Sequence, residues 1–226
     1  MSWESTVPYY RIINETVKAQ LGGLHSAKLV LVGVDFHEIE RLQHAGDWGA
    51  ASAAMVDAAR RLQAAGADFV VLCTNTMHKV ADDIERAINL PLLHIADPTA
   101  ASIKAAGHST VGLLGTRFTM EKTFYRNRLT QRYGLDVIVP DDTDQAIVHR
   151  VIYDELCLGK VRDESCDQYR RIMTRLVESG AEAIILGCTE ISLLVNIGDA
   201  TVPLVDTTRL HAEGAARVCI GEAPLI

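Results

Sequence analysis

One stretch of the sequence occurs twice. Arg61-Leu62-Gln63-Ala64-Ala65-Gly66-Ala67-Asp68-Phe69-Val70-Val71-Leu72 runs without a gap against Arg175-Leu176-Val177-Glu178-Ser179-Gly180-Ala181-Glu182-Ala183-Ile184-Ile185-Leu186. Each copy reads as a helix end, a glycine cap, an acidic residue and a short apolar strand. A chain built this way is constrained toward two similar α/β halves. Past the strand the copies continue as Cys73-Thr74-Asn75-Thr76 and Gly187-Cys188-Thr189-Glu190. Open α/β sheets take their ligands at this position, beyond the carboxyl ends of parallel strands. Two such ends facing each other across a cleft would place one reactive group on each side of a small molecule.

The elements between the copies alternate. Helices are expected near 8–20, 47–65, 78–88, 119–132, 143–157, 163–179 and 207–219, with strands near 28–34, 69–72, 92–95, 111–114, 135–139, 183–186 and 203–205. Asp97-Pro98 reads as an N-cap and first helical residue, with Gly107 closing that helix. Alternation of this kind predicts parallel sheets with right-handed crossovers. The expected class is therefore α/β, with two pseudo-symmetric lobes, each a parallel sheet flanked by helices, and a site in the cleft between them.

The repeat reaches further. Leu90-Pro91-Leu92-Leu93 resembles Val202-Pro203-Leu204-Val205, and Tyr10-Arg11 aligns with Tyr125-Arg126, which sets Met1 opposite Thr116. Thr116 follows the strand Val111-Gly112-Leu113-Leu114-Gly115, whereas the first copy has no residues there. By its own symmetry the sequence lacks the first strand of its first lobe, as a truncation or a misplaced start would cause. The other reading is a genuinely short lobe. The expected divisions are residues 1–105, residues 106–205, and a C-terminal helix within 206–226 that packs back on the first lobe.

Charge and cysteine usage narrow the partners. A net charge of −7 without basic runs argues against nucleic acid. No apolar run approaches the ~18 residues of a membrane span, and the N-terminal residues carry no leader pattern, so a cytoplasmic protein with no membrane partner is expected. The five cysteines are scattered, lack C-x-x-C pairing and read as free thiols. His78 and His94 have no third ligand at a suitable spacing, so no metal is expected.

Met1-Ser2-Trp3-Glu4-Ser5-Thr6, Cys73-Thr74-Asn75-Thr76-Met77-His78, Gly115-Thr116 and Gly187-Cys188-Thr189-Glu190 together resemble the aspartate/glutamate racemase family. The likeness covers essentially the whole chain, and the Cys-Thr-Glu form is nearest the aspartate racemase branch. It implies two α/β lobes with the active site in the cleft between them, catalysis without pyridoxal phosphate or any other cofactor, a small amino-acid substrate and a homodimer.

Inverting an α-carbon without a cofactor requires two acid/base groups on opposite faces, with donors around the carboxylate. Cys188, at the end of a strand and the start of a turn toward a helix, is the expected thiol base, with a helix N-terminus to lower its pKa. Cys157, Cys166 and Cys219 read as structural. The repeat register sets Thr74, not Cys73, opposite Cys188, and the family's Cys-Asn-Thr-x-His motif, anchored on Asn75-Thr76-Met77-His78, also leaves Thr74 in the cysteine's place. Cys73 is expected to point to the other face. In the family the second-lobe cysteine takes the proton of the L-antipode, so the resemblance implies a one-handed enzyme. Asn75, Thr76, Thr116, Thr119 and Thr189 form the expected anion nest for the α-carboxylate, with the backbone of Met1 a further candidate. Two other readings stay open: a one-cysteine carbanion enzyme such as an arylmalonate-type decarboxylase, and a non-catalytic amino-acid-binding protein.

Overall fold

The computed structural model describes residues 1–224. The chain divides into two units. The first contains Met1–Cys73, Met77–His94 and the residues from His211 onward; the second contains Thr74–Thr76 and Ile95–Leu210.

The first unit opens with α1 (Trp3–Leu21), capped by Ser2, whose hydroxyl accepts from the Ser5 N–H. Next come α2 (Phe36–Ala45) and α3 (Trp48–Ala64), with Asp35 and Asp47 as N-caps. Along α3 the buried residues Ala51, Met55 and Ala59 recur every fourth position, which turns one small-residue stripe inward. After β1 (Val70–Val71) and a 3₁₀ turn at Thr76–Val80, α4 (Ala81–Ala87) leads to β2 (Leu92–Leu93). β1 and β2 pair in parallel, Val70 with Leu92 and Val71 with Leu93. Ile39, Met55, Val70, Met77 and Ile84 are buried in this unit's core.

One expectation fails here. Lys28–Val34 joins no ladder, and Leu29, Val30 and Leu31 are exposed. A strand is defined by its partner, and none flanks this one among the described residues. Phe36–Ala45, given no element in the sequence reading, is a helix because Asp35 accepts from the His37 N–H and left-handed Gly46 closes it.

The second unit holds α5 (Ala96–Ala105), β3 (Thr110–Gly115), α6 (Arg117–Glu121), α7 (Thr123–Asn127), β4 (Asp136–Ile138), α8 (Asp142–Asp154), α9 (Asp163–Glu178), β5 (Ala183–Gly187), β6 (Leu204–Asp206) and the start of α10 (Thr207–Cys219). Its four strands are parallel in the order β4-β3-β5-β6. From Val111 onward β3 is buried, as is all of β5, which explains why both read as unbroken apolar runs. Asp97 is not an N-cap, since α5 already begins at Ala96. Its buried carboxylate instead receives two hydrogen bonds from Arg128, at 2.7 and 2.6 Å, which compensate the buried charge. The helix expected over 119–132 is broken at Lys122, whose ψ of 147° is extended, and ends in a π turn at Arg128–Arg132.

Candidate active site

The second unit carries most of the expected residues. Gly115 and Gly187 are paired in register, and neither tolerates a side chain. A Cβ on Gly115 would lie 2.9 Å from the Gly187 carbonyl oxygen, and one on Gly187 would lie 2.8 Å from both Leu113 Cδ1 and the Leu114 oxygen. This contact fixes where Thr116 and Cys188, each one residue further on, begin their turns. Thr116 caps α6 by accepting from the Thr119 N–H. Its hydroxyl lies 3.0 Å from that of Thr76 and 3.2 Å from that of Thr119, and Thr76 and Thr119 are 3.3 Å apart. Three buried hydroxyls thus form a triangle in which each can donate or accept.

Cys188 is half-buried, and its thiol donates to Glu190 Oε2 at 3.0 Å; Thr189 donates to the same oxygen at 2.6 Å. Burial, followed by the charge of Glu190, pushes the Cys188 thiol well above its ordinary pKa. The sequence reading expected a helix dipole to lower it. Instead of a helix, the chain makes a 3₁₀ turn of 3 residues at Ile191–Leu193, too short to supply that field, and a carboxylate stands next to the sulfur. Thr74 is buried and belongs to the same unit. Asn75 donates through Nδ2 to Thr207 Oγ1 at 3.1 Å, and Thr207 donates to the Leu186 carbonyl at 2.8 Å. Asn75 Oδ1 and Thr208 Oγ1 are buried without a hydrogen-bond partner. These orphaned atoms carry unused capacity to bind a polar ligand.

Glu190, Thr207 and Thr208 were missed as site residues. Thr207 and Thr208 directly follow β6, so the strand-end rule that selected Thr74 and Cys188 would have found them. Met1 belongs to the first unit, where its ammonium donates to Ser5 Oγ at 2.6 Å and to the Cys73 carbonyl at 2.7 Å. Cys73 lines a groove of that unit, and its thiol is pushed up to about 11 by burial. Cys166 is buried and donates to the Leu194 carbonyl at 3.4 Å, whereas Cys219 is exposed. The rings of His78 and His94 lie 4.3 Å apart centre to centre and are tilted by 60°, and His211 bridges Tyr9 Oη and the Leu93 carbonyl at 2.8 Å each.

Parallel strands that end in hydroxyls, an amide and a carboxylate-bound thiol define an α/β protein of the kind that works on small polar molecules at its strand ends. Residues 1–215 match the Asp/Glu/hydantoin racemase family, and the chain belongs to it. It is accordingly an enzyme of the amino-acid racemase class. A Yersinia pestis crystal structure named for the Asp/Glu racemases is 60% identical, covers 97% of this chain and 96% of its own, and superposes with a TM-score of 0.90. An aspartate racemase homologue from Pyrococcus horikoshii is 31% identical over 96% of this chain and 94% of its own, with a TM-score of 0.81. The broad specificity amino-acid racemase RacX of Bacillus subtilis is 24% identical over 164 residues, which is 71% of this chain and 68% of that protein.

Proposed function

We propose that the chain is a pyridoxal-phosphate-independent racemase of L-aspartate, L-glutamate or a broader set of L-amino acids. In this reading Cys188 removes the α-proton and Thr74 serves the opposite face. The observation that carries it is the Cys188 thiol donating to Glu190, one residue beyond the Gly115–Gly187 pair and its threonine hydroxyls. The substrate range takes its two ends from the aspartate and broad-specificity names of the relatives. A homodimer acting on free amino acids in the cytoplasm belongs to the same reading.

The thiol proton passes to Glu190, and the ammonium of the bound zwitterion offsets the charge that then builds up on sulfur. Cys188 Sγ takes the α-hydrogen, and the C–H electron pair spreads into the substrate carboxylate as an enediolate. Donors from Thr76, Thr116, Thr119, Thr189 and Asn75 stabilise that charge. Thr74 delivers a proton to the other face and is reprotonated by water, and the hydroxide so formed takes the proton held by Glu190, which restores the thiol and the carboxylate. In reverse, a threonine hydroxyl is a very poor base, so D-substrates react slowly.

The test is α-deuteration in heavy water, read together with chiral separation over a panel of L- and D-amino acids. Cys188→Ser is expected to lower exchange from L-substrates by about a hundredfold or more. Thr74→Cys is expected to open exchange from the D side. Ligand binding without any solvent exchange would overturn the reading. So would a Cys73→Ala protein that is dead while Thr74→Ala remains active.

A further inference from the structure

His149, on α8, touches the turn that carries Thr116, yet it has no part in the mechanism proposed for this chain. Its Nδ1 lies 3.3 Å from the backbone nitrogen of Arg117, and a backbone N–H can only donate. Nδ1 is therefore an acceptor, and the ring is the neutral tautomer with its proton on Nε2. Two other rings hold it in that orientation. Phe118 meets it edge-on, with centres 6.0 Å apart and planes at 83°, and Tyr153, one turn further along α8, lies 4.8 Å away at 56°. All three rings are half-buried.

The Arg117 N–H belongs to the peptide group that joins Thr116 to α6. The carbonyl of the same peptide accepts from the N–H groups of Thr119 and Met120, at 2.9 and 3.0 Å. One polar atom of this plane is thus held by the helix that follows, and the other by His149 of α8. Behind Thr116, Gly115 is pressed against Gly187. A planar peptide with both polar atoms bonded has little freedom to rotate. Were it to rotate, ψ of Thr116, now 158°, would change, and α6 with Thr119 would swing relative to Thr116. The hydroxyl triangle depends on that relation, since Thr116 Oγ1 stands 3.2 Å from Thr119 Oγ1 and 3.0 Å from Thr76 Oγ1.

Protonation undoes the arrangement. An imidazolium carries a hydrogen on both nitrogens, so Nδ1 would aim a donor at the Arg117 donor. Imidazole is the side chain whose charge changes in the physiological range. The charged and titratable groups facing α8 are Arg117 and Glu121 on α6, Tyr169, Arg171 and Arg175 on α9, and Glu155 and Cys157 around the turn at Leu156–Leu158; β3 carries none. On α8 itself Asp142 and Asp154 are exposed. The other carboxylates are bonded to arginines already: Glu121 to Arg117, Asp144 to Arg171 and Arg175, and Glu155 to Arg150. Charge around α8 is balanced without a positive ring.

We propose that His149 is a positioning residue for racemisation: its neutral Nδ1 fixes the peptide between Thr116 and Arg117 and so keeps Thr116 and Thr119 in the hydroxyl triangle. The proposal rests on the reading of that triangle as the cradle of the substrate carboxylate. The ring itself touches neither the substrate nor the sulfur and acts through the backbone alone. Racemisation therefore declines on the acid side as the ring takes up a proton.

The test compares His149→Asn with His149→Phe. Asparagine carries an acceptor oxygen close to the place of Nδ1 and does not titrate, whereas phenylalanine keeps a ring between Phe118 and Tyr153 but has no acceptor. Near about pH 8, His149→Phe is expected to lose about tenfold in kcat with KM little changed, because charge gathers on the carboxylate mainly in the transition state. His149→Asn is expected to stay within about threefold of the parent. Between about pH 8 and about pH 5.5 the parent is expected to lose about tenfold more activity than His149→Asn does. Amide exchange at Arg117 should quicken in His149→Phe and stay slow in His149→Asn. Equal rates and pH profiles in all three proteins would overturn the proposal. So would equal losses in both variants, since ring packing rather than the acceptor would then matter, and so would nitrogen chemical shifts that put the ring proton on Nδ1. If the parent exchanges no α-hydrogen from any amino acid, the racemase reading falls instead. Unchanged Arg117 exchange in His149→Phe would overturn the positioning in either case.

Discussion

Glu190 sets the chemistry of the sulfur two positions before it. Its carboxylate accepts from the Cys188 thiol and raises the cost of ionising it, on top of the cost of burial. In Glu190→Gln the charge disappears and the burial stays. The thiol pKa should fall toward its ordinary value without reaching it, so the midpoint of iodoacetamide alkylation against pH should move downward. Under the proposed mechanism racemisation should fall in the same protein, since Glu190 is there the acceptor of the thiol proton. A midpoint that does not move would mean that the carboxylate does not govern the sulfur. Thr76, Thr116 and Thr119 were picked from the sequence because all three follow strand ends, but the triangle their hydroxyls form was not foreseen. Nor was the part played by Glu190. Its contact with Cys188 depends on how a 3₁₀ turn folds back, and neither spacing nor period encodes that. Thr207 lay within reach of the strand-end rule, and only its hydrogen bond to Asn75, 132 positions away, could not be read from the sequence.

Elements with a cap at one end and a steady period between were readable; those defined by a neighbour were not. α3, α9 and α10 fall within a residue or two of their expected bounds. α9 buries Ser165, Cys166, Tyr169, Ile172, Met173 and Leu176 along one face, which is the i, i+3, i+4 pattern of a half-buried helix. Lys28–Val34 has strand composition but no ladder, because pairing is a property of two segments. β3 and β5 illustrate the converse, since the paired glycines at their ends record a close backbone approach. Gly187→Ala places a Cβ 2.8 Å from the Leu114 oxygen, which can move only with its strand. Gly112→Ala meets Leu176 Cδ1 at 3.0 Å, the movable end of a side chain. Gly187→Ala should therefore cost about 1–3 kcal/mol in urea unfolding, and Gly112→Ala less. Cys188 alkylation should also change in Gly187→Ala alone, because the turn that carries the thiol starts there. Equal losses in the two proteins would show that backbone approach is not what fixes the strand ends.

At the scale of the whole molecule, the protonation states of buried acids tie stability to alkaline pH. In the first unit, burial lifts Cys73 from 9.0 to about 11. In the second, burial raises Tyr125 and Tyr169 and takes Tyr133 from 10.0 to about 12, while Cys188 rises by burial and the charge of Glu190. Every one of these groups keeps its proton longer in the folded chain than in the unfolded one. Above the ordinary thiol range the unfolded chain therefore binds fewer protons, and stability must fall as pH rises. The Cys73 contribution is whole below pH 9 and disappears as pH climbs through about 11. The Cys188 and tyrosine contributions are lost over the alkaline range above their ordinary values. The melting temperature is thus expected to start falling near pH 9, and Cys73→Ala should flatten the part of that fall between about pH 9 and 11. If Cys73→Ala instead tracks the parent protein at every alkaline pH, the Cys73 thiol ionises as freely in the folded groove as in the unfolded chain, and its environment there is wet rather than apolar.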